Sequence, residues 1–320
     1  EIRKNYEGAD YVFYLPADTP SNARRFLDIV HPEIAIFIKY EFWINLLSEL
    51  RRRKVRSYIV SAIFRRNSVF FRPYGAMWRQ ALETFDTLFV QNVESKRLLS
   101  EIGFDNVVVA GDTRFDRVAQ IAAAAQRVET IERFRGGGRL FVAGSTWGPD
   151  EEILLPLVNA NPDVKFVIAP HEMDEGRIAH LMRNAKGGAV RYTQCDAATR
   201  FDDVQVLVLD TMGMLSSVYG SATWAYVGGG FGVGIHNTLE AATFGLPIAF
   251  GPNYGKFKEA RDMVSLGCAV SVRTAGELAA WFAPLCDDEE TLRRASRTAK
   301  DYTARNQGAT GIILRSIFNS

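Results

Sequence analysis

The chain has 320 residues, 47% of them hydrophobic, with 38 Lys and Arg against 37 Asp and Glu and a formal net charge of +1. The length suits two domains rather than one, and the balanced charge provides no global positive field for nucleic acid, so an anionic partner has to be met by a local patch. Cys195, Cys268 and Cys286 show no CxxC spacing, and His31, His171, His180 and His236 show no ligand spacing, which argues against a disulfide framework and a zinc site and for thiols in a reducing compartment.

The opening "EIRKNYEGADYVFYLP" reads as a helix end, a Gly-containing turn and a strand over 11–16. A domain seldom starts in mid-unit, so further sequence is expected upstream. No secretory signal is visible, and no apolar run reaches the roughly 20 residues that cross a bilayer. A helix over 19–32 carries Pro20 in its first turn, followed by a strand over 34–40 and a helix over 41–54 with a basic end. Strands are expected over 57–63, 87–92 and 106–112, with helical stretches at 72–84 and 93–102. Residues 114–134 form an alanine-rich helical stretch ending in "RGGGR" (135–139), a glycine run expected to be the hinge between domains or a turn close to it.

The alternation then restarts. Strands over 140–145, 165–170, 204–210, 223–230, 247–251 and 269–272 are separated by helices over 149–159, 174–185, 213–221, 238–244, 256–265 and 275–286, and a last helical region runs from about 288 to the end. Alternating β and α elements with near-continuous apolar strands make parallel sheets covered on both faces. The expected architecture is α/β: two doubly wound, Rossmann-like domains, 1–134 and 135–320, facing each other across a cleft, with the last helix expected to return to the N-terminal domain.

"YVGGGFGVGIHNTLEAATFGLPIAFGP" (226–252) runs from a strand through a glycine-rich loop into a helix. Asn237 reads as its N-cap and Glu240 as the partner completing a capping box. Bare backbone before a helix N-terminus suits a phosphate, and Gly229 and Gly230 are candidate contacts. The same residues also suit a plain helix cap. Other strand exits point the same way: "FVAGSTWGPDEE" places Ser145 and Thr146, "VIAPHE" places Pro170 and His171, and "LVLDTMGM" places Asp210, Thr211 and Gly213. All would open on one edge of one sheet, where ligands bind in open parallel folds. Neither GxxxxGK[ST] nor a clean GxGxxG in the first βα turn is present, so ATPase and dinucleotide readings are weak. A nucleotide held by strand-end loops of the C-terminal of two such domains is the GT-B glycosyltransferase arrangement.

In combination these segments resemble the 3-deoxy-D-manno-octulosonic acid (Kdo) transferases of lipid A assembly. "KYEFWINLL" is similar to the family's acidic Glu-x-Glu-x-Trp-x-Asn segment at Glu41, Trp43 and Asn45, and "GDTRFD" (111–116) to its Gly-Asn-x-Lys-Phe-Asp turn. "GSTWGPDEE", "IAP", "DTMG" and "GIHNTLEAATFGLPIAFGP" follow in the family's order, so the resemblance covers essentially the whole chain. It implies a GT-B fold, CMP-Kdo as donor, a lipid A precursor as acceptor, inversion, and no cofactor or metal. It also implies a peripheral place on the cytoplasmic face of the bacterial inner membrane, anchored through an upstream segment. By position it implies CMP contacts at Pro170 and His171, at Met212, Gly213 and Met214, and at Asn237, Thr238, Leu239 and Glu240. The chain departs from the pattern at His171, where the family usually has Arg, and at Met214, where it often has an acid.

The family's general base is a Glu in a Ser-x-Gly-Glu segment that this sequence does not contain, so the chain as written is expected to bind CMP and to transfer slowly or not at all. Glu41 follows a strand and is expected to face the cleft, as an acceptor contact or a support for the base; a helix-start acid is the plainer reading. "FRRNSVFFRPYGAMWRQ" interleaves Arg65, Arg66 and Arg72 with aromatics including Trp78, which suits a membrane interface and a phosphate-bearing acceptor, or equally a helix pair turning its aromatics inward. The rival functions are another GT-B enzyme, using a UDP- or GDP-sugar for transfer or epimerisation, and a non-catalytic nucleotide-sugar-binding module.

Overall fold

A computed structural model describes Tyr6 and residues 8–318; the helix end expected before Gly8 lies outside the described residues. The chain divides into two compact units, residues 1–113 with 308–320, and residues 114–307.

The first unit holds a parallel sheet in the order β1-β2-β3-β4 (Ile34–Ile38, Arg56–Ala62, Thr87–Val90, Val107–Val109). Alternate strand residues face opposite ways, so each face recruits its own cover. Phe37, Ile59, Leu88 and Val107 pack against α1 (Pro20–Val30), α2 (Ile44–Arg52), α3 (Ala76–Leu82) and α4 (Val93–Ser100) through Leu27, Leu47, Leu82 and Leu99. On the other face Tyr58, Val60, Phe89 and Ala110 meet Ile313 and Ile317 of the last helix, which spans Ala309–Phe318. Residues 11–16 form no strand, and Tyr11, Phe13 and Tyr14 are exposed. An apolar run becomes a strand only where a neighbour supplies hydrogen bonds, which composition alone does not reveal.

The second unit opens with α5 (Thr113–Ala124) and α6 (Glu129–Arg135) and contains a seven-stranded parallel sheet. Its strands are β5 (Leu140–Thr146), β6 (Lys165–Pro170), β7 (Ala189–Arg191), β8 (Val206–Val208), β9 (Trp224–Val227), β10 (Ile248–Phe250) and β11 (Ala269–Ser271). Their order is β11-β10-β9-β5-β6-β8-β7. The chain winds outward from β5 through β6 to β8, then returns to the other flank of β5 as β9, which makes the β5/β9 junction the switch point. One face packs Val142, Val167 and Ile248 against Phe134, Val218, Met263 and Ala299; the other packs Phe141, Phe166 and Trp224 against Leu154, Ile178 and Phe282. Edge strand β7 was not expected, because three half-buried residues carry no readable period.

The crossing between units falls at Thr113/Arg114 rather than at the glycine run. Ile131 and Phe134 of α6 are fully buried in the second unit's core, and Gly136 ends α6 in the left-handed conformation at φ 59°. The run is therefore a helix stop within a unit, not a hinge. Arg114 is fixed there too, its Nη1 donating to the buried Glu259 at 2.7 Å.

Candidate functional site

The four predicted strand exits follow β8, β6, β5 and β9, four consecutive neighbours in the second sheet. Their loops therefore lie side by side on one carboxyl edge, although they are spread over residues 145–240 in sequence. Ser145 leaves β5 at φ 54°, a left-handed conformation that a side chain adopts at a cost. Residues 228–230, leaving β9, are buried. A Cβ on Gly228 would stand 2.2 Å from the Ser145 carbonyl oxygen, and one on Gly230 2.5 Å from the Gly251 Cα. These glycines are demanded by backbone lying against backbone at the switch point.

Their amides are engaged as well. Gly228 donates to the Gly144 carbonyl, Gly229 to the Asp150 carboxylate at 3.0 Å, and the backbone of His236 to the Gly228 carbonyl. The expectation that Gly229 offers its N–H to a phosphate is thus corrected: that N–H already donates to Asp150. Asp150 is wholly buried at the start of α7 (Gly148–Ala160). It also accepts from the Trp147 amide at 2.9 Å and the Tyr226 hydroxyl at 2.7 Å, and burial together with Asp150 pushes the Tyr226 hydroxyl well above its usual pKa. One carboxylate thereby ties the β5 exit, β9 itself and the β9 exit together. In sequence Asp150 is one of three successive acidic residues at the start of this helix, with Glu151 and Glu152, and their number and position resemble ordinary capping.

The helix after the glycine loop is a single turn, α10 (Leu239–Ala242), with Thr238 as its N-cap. Asn237 sits one position earlier than expected. Its Oδ1 accepts from the Leu239 amide and its Nδ2 donates to Glu240 Oε1 at 3.1 Å, while Ser216 donates to Glu240 Oε2 at 3.2 Å. Glu240 is therefore half-buried between the β8 and β9 exits instead of reaching back as a capping box. So short a helix carries little dipole, and the electrostatics of the edge rest on individual groups.

Among the expected contacts, Ser145, His171, Met212, Gly213, Met214, Asn237 and Glu240 are at least partly open to solvent. Thr146, Pro170, Gly229, Gly230, Thr238 and Leu239 are buried. Thr146 turns inward, its hydroxyl donating to Glu151, which also receives Arg177. Two residues outside the expected set join His171. The Trp147 ring stacks on His171 at 4.7 Å, His171 lies 4.4 Å from His236, and Trp147 Nε1 donates to His236 Nε2 at 3.2 Å. Burial, then the nearby His171, lowers the His236 pKa. Among the described residues no group of three or more His, Cys, Asp or Glu is placed to hold a metal, and no helix is long and apolar enough to cross a membrane.

In the first unit, Glu41 is exposed and accepts from Trp43 Nε1 at 2.6 Å, bordering an open groove of about 580 Å³ between Leu15, Ile36, Ile38, Tyr40 and Trp43. Asn45 is structural: its amide groups hold Asp18. Phe64 and Phe70 are buried with Trp78 against Phe70, whereas Arg65 and Arg72 face solvent and Arg66 pairs with Glu101. Most of the aromatics in this segment have turned inward.

Residues 1–117 match the model of a family described as 3-deoxy-D-manno-octulosonic-acid transferase (kdotransferase). A 3-deoxy-D-manno-octulosonic acid transferase of Bordetella pertussis is 27% identical over 314 residues, 95% of this chain and 73% of that protein. The enzyme of the same name from Haemophilus influenzae is 24% identical over 331 residues, 98% and 75% of the two chains. Among solved structures, the UDP-GlcNAc 2-epimerase from Neisseria meningitidis bound to UDP-GlcNAc is similar with a TM-score of 0.65, covering 94% of this chain and 80% of that one at 16% identity, a likeness of fold alone. By sequence the chain is similar to Kdo transferases, which supports a glycosyltransferase, and its fold is α/β of the GT-B type.

Proposed function

We propose that this chain binds CMP-Kdo for the transfer of Kdo to a lipid A precursor in lipopolysaccharide assembly, with inversion and without a metal, as a peripheral protein on the cytoplasmic face of the bacterial inner membrane, and that by itself it transfers slowly or not at all. The observation that carries the reading is the adjacency of the β8, β6, β5 and β9 exits on one sheet edge at the switch point. The names of the relatives supply the sugar.

In this reading the acceptor hydroxyl oxygen attacks the anomeric carbon of Kdo as the bond from that carbon to the CMP phosphate breaks. The electron pair stays on the phosphate oxygen and the hydroxyl proton passes to a general base, a role assigned to no residue of the sheet edge. The edge residues hold the leaving group. Glu240, fixed by Ser216 and Asn237, accepts from the ribose hydroxyls; His171 and the backbone of Met212–Met214 border the nucleotide; Ser145 lies beside the phosphate. Donors fixed in place before charge develops stabilise it without reorganisation.

Titration with CMP, UDP and GDP, followed by tryptophan fluorescence or calorimetry, tests the donor. CMP is expected to bind most tightly; preference for UDP or GDP would move the chain to another GT-B activity, and binding without any transfer by the full-length protein would favour a non-catalytic module. Glu41 is proposed to contact the acceptor. Glu41→Gln keeps an oxygen for Trp43 but removes the charge, so transfer by the full-length protein should fall by about tenfold or more with CMP affinity unchanged. Full activity in that variant would remove Glu41 from the site.

A further inference from the structure

We propose that Trp147 fixes His236 as its Nδ1–H tautomer and so makes His236 a hydrogen-bond donor to the phosphate of the bound nucleotide. The inference rests on the nucleotide reading above and adds a specific donor to it.

An indole N–H can only donate. The 3.2 Å contact from Trp147 Nε1 to His236 Nε2 therefore requires a lone pair on Nε2, and the neutral imidazole carries its proton on Nδ1. The direction of the ring follows from the glycine beside it. A Cβ on Gly229 would lie 2.9 Å from His236 Cδ2 and 3.2 Å from Nε2, so the Cδ2–Nε2 edge faces Gly229 and Trp147 and Nδ1 lies on the opposite edge. Partial burial and the neighbouring His171 favour the uncharged ring.

Need and place agree. The amides of Gly228, Gly229 and His236 are already engaged by Gly144, Asp150 and Gly228, so this part of the loop's backbone is not available to an oxyanion. A side-chain donor at the switch point supplies what those amides do not. The donor is built from three strand exits at once: Trp147 follows β5, His171 follows β6 and His236 follows β9. Trp147 acts here as a positioning residue, setting which nitrogen of His236 holds the proton.

Asparagine at position 236 presents its amide N–H where Nδ1 stands, and glutamine presents it where Nε2 stands, so the pair His236→Asn and His236→Gln reads out the tautomer. CMP and cytidine are titrated against the unsubstituted chain and both variants. His236→Asn should bind CMP nearly as the unsubstituted chain does, whereas His236→Gln should bind it about tenfold more weakly, the worth of one hydrogen bond to a charged group. Cytidine, which lacks the phosphate, should bind all three alike. Nitrogen-15 chemical shifts of the histidine ring should show a protonated Nδ1 that becomes a mixed population in Trp147→Phe. Equal CMP affinity in the two variants, a matching loss for cytidine, or an Nε2–H ring would overturn this inference alone. No CMP binding by the unsubstituted chain would overturn the nucleotide reading and this inference with it.

Discussion

Asp150→Ala is expected to abolish measurable CMP binding and to lower the unfolding temperature of the second unit more than a surface change would. The carboxylate is wholly buried and receives the Tyr226 hydroxyl at 2.7 Å, the Trp147 amide at 2.9 Å and the Gly229 amide at 3.0 Å. Alanine leaves the Tyr226 hydroxyl and the Gly229 amide buried with no acceptor, at a cost of about 1–3 kcal/mol each, and also releases the half-buried Trp147 amide; the losses are coupled because all three share one partner. Tyr226 is itself fully buried, so its hydroxyl cannot turn to water. The binding effect follows from the same geometry. Released from Asp150, the β9 exit no longer holds His236 against Trp147. Asp150→Asn should fall between, since its oxygen serves some donors while its amide confronts another. Thermal unfolding and CMP titration check both arms; an alanine variant with unchanged unfolding temperature and affinity would remove Asp150 from this role.

The second large effect is expected from Gly228→Ala. The added methyl would lie 2.2 Å from the Ser145 carbonyl oxygen and 2.7 Å from the Thr146 Cα. Both are backbone atoms of the neighbouring strand exit, so no rotamer change relieves the clash and β5 and β9 must part. Overpacking of this kind costs about 1–3 kcal/mol or more, which for a unit of this size lowers the unfolding temperature by roughly 2–4 °C per kcal/mol. Gly232→Ala is the control: its nearest neighbour, the Gly229 carbonyl oxygen, lies 3.8 Å away, and its stability should stay within about 0.5 kcal/mol of the parent. Equal unfolding temperatures in the two variants would show that close backbone approach is not why Gly228 is glycine.

Several elements of this chain were legible in advance because their physical signal is local. Apolar runs such as "FVIAP" and "VQVLV" mark strands buried on both faces, and helices such as α13 (Glu289–Arg305) show their amphipathic period. Strand-exit residues Ser145, His171, Gly213 and Glu240 were identifiable because strand, loop and helix succeed one another in the sequence. The run 11–16 misled for a complementary reason: its apolar pattern was right for a strand, but ladder hydrogen bonds come from another segment. The boundary between units was misplaced because glycines advertise flexibility or a helix stop equally well, and only the burial of Ile131 and Phe134 decides between them.

The sequence by itself determined the alternation of elements, the parallel α/β class and the set of loops proposed here to hold a nucleotide, since each depends on the order and periodicity of neighbouring residues. Tertiary structure alone decided that these loops belong to consecutive strands β9, β5, β6 and β8. It also decided that the glycine amides are engaged, that Asp150 joins two loops from beneath, and that Trp147 and His236 meet across 89 positions of chain. Pairings between distant residues depend on strand order and crossing, and those are settled by how the whole sheet buries its two faces rather than by any local pattern.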